Sequence, residues 1–147
     1  MTAVVFHLID DPDPEAYWYY AAELCAQAAA SEQMLYVVFQ DHDQLEYFDE
    51  YLWGYRSDAF VPHTADPEDS AHAPVFLGVD AVAGGFDAVL NLSDRLIERV
   101  ADRVQVDEVV DADPARRARA RDRWRSYQAQ GVTLQHRPVA LVPRAED

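Results

Sequence analysis

Apolar residues recur along this chain in two rhythms. Near-continuous runs at 2–9 (Val4, Val5, Phe6, Leu8, Ile9) and 34–39 (MLYVVF) have the pattern of strands covered on both faces. Between them the spacing changes to that of a helix: Tyr17, Ala21, Leu24 and Ala28 fall on one face, widened by Trp18, Cys25 and Ala29. Asp13 is placed to cap this helix, with Pro14 in its first position and Glu15 in its first turn. A second helix is predicted over 41–53, where Leu45, Phe48 and Leu52 keep helical spacing. Strand, helix, strand, helix is the order of parallel α/β architecture.

Farther on, short strands are predicted at 74–79, 88–92 and 106–110, which brings the sheet to five. A long connection at 54–74 carries prolines, acids and a short FVPH segment. Gly84 and Gly85 mark a turn, and 96–104 reads as a helix. Pro114 opens a last helix that runs to about Gln130, where Gly131 stops it. Residues 132–136 (VTLQH) read as a short terminal extension or edge strand. The single domain is expected to span 1–137, with a mobile tail at 138–147.

Charge changes the picture. There are 12 arginines, no lysine and 27 acids, a net charge of −15. Seven of the arginines lie within 114–137 beside a single acid, Asp122, while the remainder holds five arginines and 26 acids. A local positive field attracts anionic groups whatever the net charge. Arginine adds a planar fork that grips a carboxylate or phosphate through two bonds. High internal salt or a GC-rich genome explains acidity and arginine usage in general; neither explains the basic cluster.

Several chemistries find no residues. A chain without lysine cannot build a GxxxxGK phosphate loop, and DDPDPEA after the first strand would repel a pyrophosphate. His7, His42, His63, His72 and His136 are scattered without metal-ligand spacing, so neither metal nor cofactor is expected. No GxSxG is present, and acid pairs such as Asp41 with Asp43 or Asp49 with Glu50 read as solvated surface. Cys25 in its Leu-Cys-Ala setting reads as helix core. The N-terminus lacks the basic region of a signal peptide, no apolar run has the length of a membrane span, and a cytoplasmic protein is expected.

Two constellations remain. Arg117, Arg121, Trp124 and Gln128 form one stripe of the last helix, with Arg125 beside it. Arginines around an indole suit an acidic peptide that carries an apolar or aromatic residue. The plain alternative is a surface helix with Trp124 and Tyr127 turned to the core, but a chain of charge −15 needs no arginines for solubility. Nucleic acid is the rival ligand, opposed by the acidity of the rest of the chain. The second constellation is the aromatic stretch at 48–63, where Trp53, Tyr55 and Phe60 either roof the core or anchor a partner protein.

LCAQAAA in the first helix, DEYLW followed by AFVPH, and EVVD leading into ARDRWRSYQAQG and VTL occur here in order. With them the chain resembles, over nearly its whole length, the chi subunit of the bacterial DNA polymerase III holoenzyme. The resemblance implies a Rossmann-like three-layer α/β/α fold around a mainly parallel sheet, and no catalytic activity. It implies two partners, the psi subunit of the clamp-loader complex and the acidic C-terminal tail of single-stranded DNA-binding protein. The tail-binding positions of the family match Val110, Arg117, Arg121, Trp124 and Arg125, and the psi-facing aromatics match Trp53 and Phe60. Trp124 stands where the family often has tyrosine, and the 78–87 segment lacks the family's basic character. The expectation is a chain monomeric on its own, without tight nucleic-acid binding. The alternatives are a nucleotide- or phosphate-handling enzyme on a Rossmann-like sheet, and direct nucleic-acid binding through the arginine helix.

Overall fold

The computed structural model describes residues 2–58, 60–80, 85–86 and 88–144. Seven strands appear among them: β1 (Ala3–Ile9), β2 (Leu35–Val38), β3 (His63–Thr64), β4 (Val75–Gly78), β5 (Ala88–Asn91), β6 (Gln105–Val110) and β7 (Thr133–Val139). They form one sheet in the order β3-β4-β2-β5-β6-β1-β7, and every neighbouring pair is parallel. The expected five strands are therefore seven. A two-residue β3 is too short to leave a period in the sequence, and β7 was foreseen only as a short extension.

Helices α1 (Pro14–Ala30) and α2 (His42–Gly54) begin where capping chemistry puts them: Asp13 accepts from the Glu15 amide and Asp41 from the Gln44 amide. Their apolar faces pack on one side of the sheet, where Ala21, Cys25, Phe48 and Leu52 join Val37 and Leu77 in one buried cluster. The third helix, α3 (Pro114–Ala129), is capped by Asp113 and ends before Gly131, whose φ of 77° is the left-handed conformation that glycine adopts without penalty. Through Ala120 and Tyr127 it packs on the opposite side, against Phe6, Val89 and Val106. Three layers result, with α3 crossing over β1 on its way from β6 to β7. Burial pushes the Cys25 thiol well up, which keeps it an inert core residue.

Two expectations fail in instructive ways. Residues 96–104 form no α-helix; only Val100–Asp102 makes a short 3-10 turn. Ile97 and Val100 are buried, so their three-residue spacing imitated a helix, but the segment is fixed instead by a bond from the Ile97 amide to the Tyr127 hydroxyl. Nor is the chain loose from 138. Pro138 and Val139 complete β7, Val142 is buried, and its amide donates to Asp11 Oδ2 at 3.0 Å. The turn expected at Gly84 and Gly85 lies partly outside the described residues, as does the end of the expected tail; Gly85 itself has a φ of 90°.

Each side of the sheet carries a buried polar link. Toward α1, His7 Nε2 meets Asp107 Oδ1 at 2.7 Å and its Nδ1 meets the Tyr20 hydroxyl at 2.6 Å. Toward α3, Glu108 is fully buried and receives Arg123 Nε at 3.1 Å, the Tyr127 hydroxyl at 2.6 Å and Asn91 Nδ2 at 3.0 Å. A buried charge survives only when it is paired and hydrogen-bonded, so this network fixes how α3 is rotated on the sheet.

Candidate functional site

The rotation of α3 sorts its six arginines. Arg116, Arg119 and Arg123 turn toward β5 and β6 and are tied to Asp111, Asp94 and Glu108. Arg117 spans the carbonyls of Asp111 and Ile9 and the carboxylate of Asp10. Arg125 makes an exposed pair with Asp122 on its own helix. Arg121 is exposed, and among the described residues it has no hydrogen bond or ion pair. A guanidinium left free in a chain this rich in carboxylates is available to an anion from outside.

Beside it, Trp124 is half-buried. Its ring lies 5.3 Å from Phe6 at 61°, an edge contact, and 6.3 Å from His136 at 70°. One part of the indole joins the core and the rest reaches the surface. Leu8, Val132 and Leu134 are likewise half-buried around the same cluster. The arrangement is an apolar step with a free cation at its rim.

Val110 is buried in the same cluster and has a second neighbourhood. It lines a cleft of about 650 Å³ at the carboxyl ends of the strands, with Arg116, Arg119 and Arg123; Arg117, Arg121, Trp124 and Arg125 are outside that cleft. A Rossmann-like sheet would hold a nucleotide at this location. Here the walls carry Asp10, Asp11, Asp13, Asp94, Asp111 and Asp113, and the first amides of α1 are answered by Asp13. A polyphosphate would meet negative charge at the helix end that should attract it. Among the described residues, no cluster of three His, Cys, Asp or Glu side chains is arranged to hold a metal ion.

A second exposed feature lies at the far edge of the sheet. Trp53 and Phe60 are 58 % and 70 % exposed and touch each other, with ring centroids 5.8 Å apart. Trp53 also leans on His63, 4.7 Å away, whose Nε2 is 2.8 Å from Asp49. Tyr55, the third aromatic of this stretch, is buried against Tyr19 and does roof the core.

A family model described as DNA polymerase III chi subunit, HolC, matches residues 1–135. The chain belongs to this chi family. It is 37% identical to the DNA polymerase III subunit chi of Pseudomonas aeruginosa over 136 residues, which covers 92% of this chain and 95% of that protein. The fold of this chi-family chain is also similar to the crystal structure of T4 UvsW, with a TM-score of 0.62 over 94% of the chain, at 9% identity. The chain spans 41% of that larger protein, and the likeness is one of fold. Membership supports a replication accessory role in association with other polymerase subunits. Among the described residues no helix is long and apolar enough to cross a membrane.

Sequence reasoning missed the Glu108 network. The signal was present: Glu108 shares a strand face with Val106 and Val110, and a buried acid at that position requires a cation. Arg123 and Tyr127, one helical turn apart, supply the ion pair and a hydrogen bond.

Proposed function

We propose that this chi-family protein is a non-catalytic replication subunit that captures the acidic C-terminal tail of single-stranded DNA-binding protein on α3 while holding the psi subunit of the clamp loader elsewhere. The observation that carries the reading is the free Arg121 guanidinium one turn before the half-buried Trp124. Arg121 forks onto a carboxylate and Trp124 receives the apolar side chain of the last residue, with Arg117 and Arg125 beside them, each paired with an aspartate of this chain. Capture of a chain end in this way is selective in a manner that a diffuse basic patch is not. On the psi side, the contact between exposed Trp53 and Phe60 supplies a compact aromatic anchor. Direct binding of a long polyanion is the weaker reading, because five of the six α3 arginines are already engaged by groups of this chain.

The test compares Arg121→Ala with Arg119→Ala against a synthetic acidic tail peptide at two salt concentrations. Arg121→Ala is expected to weaken binding by about 1.5–3 kcal/mol, as for a hydrogen bond to a charged group. Arg119, held by Asp94 at 3.0 Å, should matter little and only through screened attraction. Equal losses that vanish together at high salt would mean a diffuse patch and no pocket.

A further inference from the structure

β7 forms the outer bank of the surface on which Trp124 lies. Its residue His136 is the register partner of Phe6 on β1, so both side chains rise from the sheet on the α3 side. Phe6 is buried under Trp124, whereas His136 is exposed beside it, and the indole is bracketed by the two rings.

α3 runs against the strand direction. Arg117, near its start, reaches the Ile9 carbonyl at the end of β1, and Trp124, two turns later, reaches Phe6 in the middle of that strand. Arg121 therefore sits between these points, alongside the stretch of β7 from His136 to Pro138. The imidazole and the free guanidinium are both exposed and both adjoin Trp124, His136 through its ring and Arg121 one turn earlier on the helix.

We propose that His136 is a further binding residue of this surface: as imidazolium it donates a hydrogen bond to a carboxylate of an acidic peptide whose neighbouring carboxylate is held by Arg121. This rests on reading the α3 surface as an acidic-peptide site. Among the described residues no carboxylate is hydrogen-bonded or ion-paired to His136. Toward His136, α3 presents Arg117, Arg121 and Arg125, with Asp122 tied to Arg125. β1 presents Val4, Phe6 and Leu8, all uncharged. On β7 the adjacent residues Gln135 and Arg137 point to the other side of the sheet, where Arg137 meets the Tyr20 hydroxyl. Glu108, on the same side but beyond β1, is held by Arg123. Among the described residues His136 itself makes no hydrogen bond or ion pair.

Two consequences follow for affinity. Imidazoles gain charge as pH falls through the range just below neutrality, whereas peptide carboxylates stay ionised to far lower pH. Binding therefore tightens on mild acidification. For an exposed charge pair the gain is modest, roughly two- to fivefold in Kd.

The experiment titrates the full chain with a short synthetic peptide of aspartates ending in a free phenylalanine carboxylate, at about pH 6 and about pH 8 and constant ionic strength. Wild type should bind more tightly at the lower pH. His136→Gln should match wild type at the higher pH and lose the gain. His136→Arg, a fixed cation, should bind at the higher pH about as tightly as wild type does at the lower. A full pH gain in His136→Gln would overturn the proposal. If Arg121→Ala still weakens binding in that case, the acidic-peptide reading stands and His136 alone is removed. Absence of wild-type binding at both pH values would remove both.

Discussion

Arg123→Met is the sharpest test of how α3 is held. Methionine keeps the length and much of the volume but leaves Glu108, with no exposed surface, facing only Tyr127 and Asn91. Breaking a buried ion pair by removing one partner costs about 3–5 kcal/mol. For a chain of this size that lowers Tm by roughly 6–20 °C, at about 2–4 °C per kcal/mol. The loss should depend on pH in a defined direction. Burial raises the Glu108 carboxyl above the usual glutamate range, and Arg123 is foremost among the groups that oppose it. A carboxyl raised in the folded state contributes most below its unfolded value, near pH 4, and loses that contribution as pH rises. Without Arg123 the rise is larger, so the gap between variant and wild type should narrow from about pH 8 to about pH 5. Thermal unfolding across this range, followed by circular dichroism, measures both quantities. Glu108→Gln added to Arg123→Met should recover part of the loss. A variant as stable as wild type at the higher pH, or a loss that stays flat with pH, would refute the assignment of this network as the anchor of α3.

Three further outcomes are expected. Arg121→Ala should leave Tm unchanged while weakening the tail peptide, because among the described residues Arg121 makes no hydrogen bond or ion pair. Phe60→Ala should cost on the order of 2 kcal/mol in a one-to-one complex with a psi partner; the chain alone should run as a monomer by light scattering, and unchanged calorimetric binding with the fold intact would remove Phe60 from the interface. Asp11 is held below the usual aspartate range by the amides of Val142 and Asp13, so the stability it lends to residues 140–144 is present above about pH 4 and is lost as pH falls through its folded value. The Val142 amide should lose hydrogen-exchange protection there, and Asp11→Asn should show the same loss near neutrality.

What was legible in the sequence was whatever local chemistry alone decides. Asp13 with Pro14 and Asp113 with Pro114 announced helix starts, Gly131 announced a helix end, and the strands buried on both faces appeared as apolar runs. What escaped was set by distant contacts. β7 is an edge strand with residues exposed on both faces, so LQHRPV carries neither an alternating nor a continuous apolar pattern, and Pro138 suggested a tail. At an edge the missing proline amide costs no ladder bond if it points outward. The α3 stripe was read correctly as a row of residues, but its neighbours across the helix were not. Nothing local distinguishes Arg121, left free, from Arg123, buried against Glu108. Val110 was grouped with that stripe; it belongs to the buried cluster on which Trp124 packs and also lines the acidic cleft.

The position of β1 between β6 and β7 also governs the order in which the molecule can be built. Ala3 pairs with Gln105 on one side and Thr133 on the other. β1 thus leaves the ribosome before either partner and waits for strands roughly a hundred or more residues later, several seconds or more at ordinary synthesis rates. Throughout that interval AVVFHLI is an unpaired apolar strand, a template for pairing between chains. A chain cut short before residue 133 would keep β6 yet leave β1 as a permanent open edge. Such a fragment should aggregate although, Val142 apart, the described residues it loses are half-buried or exposed, because a strand made late is the one that seals β1.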